Sequence, residues 1–409
     1  MFQIKKTDAF SVVWTKKEYR NLMFIMFLAG MAVSSSGPLI TLFLTKELGA
    51  DTSVVGLFYL TSIAGLFINL YTGQLSDRLS SRIPLIKGSA IWLSIGWAFI
   101  SLSQNSITVF IVGVVFFSLM GTLNAQTFGV VRDVMNVEKE AHEATLTSII
   151  RTAYSFGWML GPAIGPLIAS IAGYRIAFLI AVALFLAILI PLRNIHVPEK
   201  KEMAFKKEKK PLKLKTNRPL IFFGVICMLV LSGEAARIAY LPLLAVDHLQ
   251  ISLFQFGLLM SIAPFTELFI MPLSGILADK FGVHKVLFTG FLLGAIGFFL
   301  FANSTHLWQV VLGQIMNACF ISTIFGLAVT YAHQLSPNNI GLASSVFFSA
   351  ESAAFVLGSL MGSYGVHLIG LPFMFFIPSV LCVVSSILFI INDFTKARKE
   401  RKLGLSPNT

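Results

Sequence analysis

The chain has 409 residues, 56% of them hydrophobic and only 12% charged. A soluble domain carries about a quarter charged residues, so this composition excludes a soluble enzyme or water-exposed binding module and predicts a polytopic membrane protein. The net charge of +12 could suit a polyanion, but the basic residues lie in short loops and termini between apolar runs, a distribution that reports topology rather than nucleic-acid binding.

The N-terminal residues 1–20 are basic and lead into an apolar run over 21–44. That run is too long for the core of a signal peptide and is expected to be a retained first transmembrane helix. A spanning helix needs about 20 apolar residues. Segments of that kind fall at 22–45, 53–75, 84–103, 107–131, 144–171 and 175–192, then at 219–245, 252–276, 285–303, 307–332, 340–367 and 371–392. Between the two sets lies a stretch, 193–218, with ten Lys or Arg against three Glu, which carries +7 of the total charge. The expected organisation is a six-helix bundle over 1–192, a basic linker over 193–218, a second six-helix bundle over 219–392 and a tail over 393–409.

An even number of spans puts both termini on one side, and basic residues choose that side. The termini, the linker and the loops on their side hold 27 of the 31 Lys and Arg. The opposite side holds Lys46 and Arg175, while Arg151 and Arg237 stand within helices. Both termini and the linker are therefore expected in the cytoplasm of a bacterial cell, with the chain multi-pass in the inner (plasma) membrane. The linker's charge can rest against anionic lipid, worth about 1 kcal/mol per basic residue near the surface. Cys227, Cys319 and Cys382 all fall in apolar segments without metal-ligand spacing and read as packing residues.

The two halves repeat. Leu66-Phe67-Ile68 with Gly73 and Asp77-Arg78 matches Leu268-Phe269-Ile270 with Gly275 and Asp279-Lys280, 202 positions on. Phe128-Gly129 matches Phe325-Gly326, and Leu160-Gly161 with Gly165 matches Leu357-Gly358 with Gly362, 197 positions on. Parallel six-helix repeats suit two bundles that rock about a site near the midplane.

The loops after the second and eighth spans are the strongest motif: Gly73, Asp77, Arg78 and Arg82, then Gly275, Asp279, Lys280 and Lys285. Gly permits close helix approach, and Asp at a helix end can meet a cation or a neighbouring helix N-terminus. On these loops and the repeat, the chain resembles the major facilitator superfamily over nearly its whole length. The resemblance implies the all-α major facilitator fold, twelve transmembrane helices in two six-helix bundles. It also implies a cytoplasmic gate held by Gly73, Asp77, Arg78, Gly275 and Asp279, with Arg132 as the partner of Asp77. The first loop has Leu79-Ser80-Ser81 where the family often has a Gly. The fifth span, Gly157 to Pro166, has small residues four apart and resembles the helix-5 motif of exporters in this superfamily; the same spacing also serves plain helix packing.

Five ionisable residues stand inside spans: Arg151, Glu234, Arg237, Glu267 and Glu351. Each costs roughly 2.5–3.5 kcal/mol at a helix centre on insertion scales, so they should face a cavity or one another. Glu234 and Arg237, three apart, share a helix face and can neutralise each other. Glu267 replaces Gly65 of the first half, so the repeated framework does not need an acid there. If all five ionise the sum is −1, leaving one carboxylate unmatched. A desolvated, unmatched carboxylate takes up a proton more readily, which makes Glu267, or failing that Glu351, the expected proton-coupling residue. The competing reading is a permanent pair with Arg151 or Arg237.

Asn124 and Gln126 in the fourth span, Tyr154 and Trp158 in the fifth, Gln314 and Asn317 in the tenth and Asn69 in the second bring amide and aromatic groups to an apolar setting, as a small-ligand site requires. Inter-helix hydrogen bonds would use the same residues. With Arg151, Trp158, Gly161-Pro162, Glu267 and the Gln314 and Asn317 pair, these residues resemble the bacterial sugar efflux transporter family. That resemblance implies export of sugars or glycosides driven by inward proton flow. Asn124, Gln126, Arg151, Tyr154, Trp158, Glu234, Arg237 and Asn317 are the expected substrate-binding set. Glu234, Arg237 and Glu351 fall outside the family pattern and leave a charged or amphipathic substrate open. Proton-driven multidrug efflux is the alternative in mechanism; a passive channel or a non-transporting sensor is the alternative in class. No catalytic signature, metal spacing or nucleotide-binding loop appears in the sequence. The expected partners are a small-molecule substrate, protons and the lipid bilayer, without cofactor or nucleic acid, and the chain is expected to act as a monomer.

Overall fold

The computed structural model describes residues 13–138, 143–195, 217–337 and 340–402. Most of the basic linker and the last residues of the tail lie outside the described residues. Among the described residues there is no strand, and twelve helices are long and apolar enough to cross a membrane. They are α1 (Lys17–Glu47), α2 (Thr52–Gly73), α3 (Ile83–Leu102), α4 (Ser106–Met135), α5 (Ile149–Ala172), α6 (Tyr174–Leu192), α7 (Arg218–His248), α8 (Leu253–Phe281), α9 (Val283–Ala302), α10 (Leu307–Leu335), α11 (Leu342–Ile369) and α12 (Phe373–Ile391). The protein is thus an all-α, multi-pass membrane protein. Large apolar side chains stand exposed on the helices, Phe67 at 70% and its repeat partner Phe269 at 62% among them. Water would penalise such faces, and lipid does not. The final helix continues past the span to Lys402.

Local chemistry sets the helix ends. The Asn105 side chain accepts from the Thr108 N–H at the start of α4, and Asn217 accepts from Leu220 N–H at the start of α7, each meeting a donor the first turn leaves open. Both α1 and α7 end in a single π-helical turn, Phe43–Glu47 and Leu244–His248. The left-handed residue that follows is Gly49 in the first half and Gln250 in the second.

The chain divides into two compact units. The first takes the described residues of Met1–Asp51, Thr61–Lys206 and Ile251–Phe265; the second takes those of Thr52–Leu60, Lys207–Gln250 and Thr266–Thr409. In the first unit α1 packs on α5 through glycines. A Cβ on Gly157 would meet the Phe27 carbonyl, and one on Gly165 would meet the Ser35 carbonyl. Ser34 Oγ donates to the Gly157 carbonyl at 3.1 Å. In the second unit α7 packs on α11 in the same way, with Gly358 against the Ser232 carbonyl and Gly362 against the Tyr240 ring.

The short segments that each unit takes from the other half's sequence are also built on glycine. Within the second unit Gly56 N–H donates to Tyr240 Oη at 2.9 Å, and Ser363 Oγ donates to the Ser53 carbonyl. Within the first unit Gly257 sits against Pro162 and Pro166 of α5. Gly56 and Gly257 each leave room for a neighbour that a Cβ would meet: Tyr240 and the Ser359 carbonyl at Gly56, and the Pro162 carbonyl at Gly257.

Candidate functional site

The second unit holds a cluster of buried charge. Glu234 and Arg237 stand one turn apart on α7. Arg237 Nε donates to Glu234 Oε2 at 2.8 Å, and Nη2 donates to Oε1. The pair is bidentate, and its side chains are 7% and 13% exposed for Arg237 and Glu234. Two amides from α10 complete it. Arg237 Nη1 donates to Gln314 Oε1 at 2.8 Å, and Asn317 Nδ2 donates to Glu234 Oε2 at 2.9 Å. Gln314 and Asn317 are three apart, so both reach the same face of α7.

Glu267 on α8 lies near enough for the charges of Glu234 and Arg237 to act on it. The ion pair consumes the guanidinium, so the three groups sum to −1 when ionised. Glu351 is half-buried on α11.

The first unit holds a polar, aromatic cluster. Asn124 Nδ2 donates to Tyr154 Oη at 3.3 Å, and the Tyr154 and Trp158 rings lie 6.4 Å apart between centroids. Asn124 Oδ1 is buried and meets no hydrogen-bond partner among the described residues. Arg151, one turn before Tyr154, is exposed.

Gln126 does not join Asn124. Two positions on a helix are about 200° apart, and Gln126 is turned to the end of α2 and α3. There its Oε1 accepts from Arg82 Nη1 at 2.9 Å. The same nitrogen donates to Ser76 Oγ at 2.6 Å, and Arg82 Nε meets Asp133 Oδ2 at 3.1 Å. Gly129 leaves the space that the Arg82 side chain fills, since a Cβ there would lie 2.7 Å from Arg82 Cδ. The described ion pair at this end is therefore Arg82–Asp133, while Arg132 is exposed. The side chains of Asp77 and Arg78, expected at the gate, lie outside the described residues. Asp279 is exposed. Among the described residues, a Cβ on Gly73 or Gly275 would meet nothing within 4 Å.

Asn69 is likewise committed to packing. Its Oδ1 accepts from Thr122 Oγ1 at 2.8 Å, and its amide fills the space over Gly121, joining α2 to α4. Sequence reading missed Asp133 because it stands beside Arg132, the more conspicuous residue for an acidic partner. Arg82 was visible as the last basic residue of the first loop motif. No described group of His, Cys, Asp and Glu could hold a metal ion.

The sequence model of the Major Facilitator Superfamily matches residues 22–246 and 233–407. The chain belongs to the Major Facilitator Superfamily. Among superfamily members it is similar to Sugar efflux transporter A of Escherichia coli (strain K12), at 25% identity over 84% of this chain and 88% of that protein. Sugar efflux transporter A of Dickeya chrysanthemi is 24% identical, over 83% and 86% of the two chains. The Multidrug resistance protein MdtG of Proteus mirabilis is 24% identical over 91% and 95%. The crystal structure of nucleoside transporter NupG shares the fold, with a TM-score of 0.76 at 16% identity over 91% of this chain and 98% of that one.

Proposed function

We propose that this superfamily member exports sugars or glycosides by alternating access, driven by protons moving inward. The observation that carries the reading is the uneven charge in the second unit. Glu234 and Arg237 neutralise each other through two hydrogen bonds, and Glu267 remains as a carboxylate beside a pair already matched. A carboxyl group inside a span, beside a matched ion pair but not a member of it, is placed as a coupling residue should be. Similarity to sugar efflux transporters from two bacteria supports sugar as cargo. The Asn124, Tyr154 and Trp158 group offers what a sugar ring needs: an amide for hydroxyls and aromatic faces for its apolar side. Arg151 extends that group, and the Arg82–Asp133 pair serves the cytoplasmic end of the first unit.

In this scheme Glu267 is protonated from outside, and release of that proton to the cytoplasm accompanies loading of the sugar. The protein works as a monomer in the inner membrane of a bacterial cell, with both termini and the basic linker in the cytoplasm, as the distribution of Lys and Arg favours.

Inverted vesicles test the scheme. With an acidified lumen, addition of a transported sugar should release protons in proportion to sugar taken up. Proton release on adding lipophilic cations, with no response to any sugar, would replace sugar efflux by drug efflux, the reading favoured by similarity to MdtG over 91% of this chain.

A further inference from the structure

The amide of Asn317 has one half assigned and one half open. Its Nδ2 donates to Glu234 Oε2 at 2.9 Å. Amide nitrogen and oxygen are assigned by their partners rather than by shape, and here chemistry leaves one choice, because an ionised carboxylate only accepts. The oxygen must therefore turn away from Glu234. Asn317 is 1% exposed, and its Oδ1 meets no donor among the described residues. A buried acceptor without a donor is costly, of order 1–3 kcal/mol, and the repeated framework does not require one. Asn317 corresponds to Met120 in the first half at the 197-residue spacing of Phe128-Gly129 and Phe325-Gly326.

We infer that Asn317 is a specificity residue, whose Oδ1 accepts a hydroxyl proton from a neutral, polyhydroxylated substrate. This deepens the sugar-export reading and rests on it. The neighbouring carboxylate points the same way. A carboxylate has about four lone-pair sites; Arg237 takes two and Asn317 a third. Glu234 thus keeps an acceptor site beside an acceptor amide. Two adjacent acceptors with their charge already balanced by Arg237 match paired hydroxyl donors. They reject a ligand without O–H or N–H, because such a ligand leaves the amide oxygen buried and unmatched. Gln314 has the opposite orientation for the same reason: Arg237 only donates, so Gln314 presents its oxygen to the ion pair.

The experiment is an analogue cycle in inverted vesicles, using methyl gluco-, galacto- and mannopyranosides and their monodeoxy derivatives. In the wild type one deoxy derivative should show a KM about tenfold above its parent. Asn317→Ala should raise the parent's KM to that of the derivative and leave the derivative unchanged, so that the ratio falls to about one. Gln314→Ala disturbs the same ion pair without touching Oδ1 and should keep the tenfold ratio. The near-isosteric Asn317→Leu provides the same comparison if the alanine variant does not accumulate. A tenfold ratio that survives both Asn317 variants would overturn the assignment, as would a ratio lost equally in Gln314→Ala. Sugar transport with no deoxy penalty in the wild type would refute the role of Asn317 alone. No transport of any sugar in the panel would instead refute the sugar reading beneath it.

Discussion

Removing Arg237 should be far worse than removing the whole ion pair. In Arg237→Met, Glu234 loses both guanidinium bonds, Gln314 Oε1 loses its donor, and two acids, Glu234 and Glu267, remain near each other without a cation between them. Breaking a buried pair by deleting one partner costs about 3–5 kcal/mol, whereas replacing both partners by apolar residues of similar volume is often neutral. The second unit has roughly 200 residues by its bounds, a size at which 1 kcal/mol moves the midpoint by about 2–4 °C. Thermal unfolding of purified protein in detergent should therefore show Arg237→Met about 10 °C below the wild type. Glu234→Met with Arg237→Met should return to within about 3 °C. Equal midpoints for the single and double variants would show that the pair is not buried and matched as described, and the reasoning from it would fail. A stable double variant that no longer transports would place the pair in the transport cycle and not in the scaffold alone.

Glu267→Gln should abolish sugar-induced proton movement while sparing sugar exchange in the absence of a gradient; full proton-driven transport by this variant would sink the coupling assignment. Gly165→Ala places a Cβ on the Ser35 carbonyl and should cost about 1–3 kcal/mol, read as a lower midpoint. Gly73→Ala meets nothing within 4 Å among the described residues and should stabilise its helix by about 0.5–1 kcal/mol, so a loss of transport with a raised midpoint would assign Gly73 to the moving cycle. Arg82→Gln leaves Asp133 without its described cation and should cost about 1–3 kcal/mol, with Arg82→Lys in between, since a lysine cannot reproduce the fork to Ser76, Gln126 and Asp133. Equal midpoints across the Arg82 series would show that this end of the first unit does not depend on the contact.

The spans were legible because length and hydropathy alone decide them, and the repeat was legible because Gly161 and Gly358 do the same packing task in each half. The ion pair of Glu234 and Arg237 was legible from its spacing, since three residues on a helix bring side chains to one face. Two features were not. Gln126 lies in a polar run with Asn124, and only the helical rotation between them separates a residue facing Tyr154 from one facing Arg82. The packing at Gly56 and Gly257 was hidden for a different reason. It depends on long-range contact at Gly56 and Gly257, and no local signal distinguishes those glycines from the many that merely fill a helix.

The repeat also supplies an internal control for the charged cluster. Gly161 meets the Met31 carbonyl and Gly358 the Ser232 carbonyl, which aligns α1 with α7 at a spacing of 201 residues. On that alignment Glu234 and Arg237 correspond to Val33 and Ser36; at the spacings of the loop motif and of the fourth and tenth helices, Glu267 corresponds to Gly65 and Asn317 to Met120. The same scaffold therefore folds in the first unit without any of these polar groups. The first unit places Asn124, Tyr154 and Trp158 together in its own helices, with the exposed Arg151 one turn before Tyr154. Charge inside a membrane is costly, and a framework that demonstrably does not need it for packing retains it for another purpose. The charged cluster of the second unit is therefore an addition to the repeated framework and not a requirement of it.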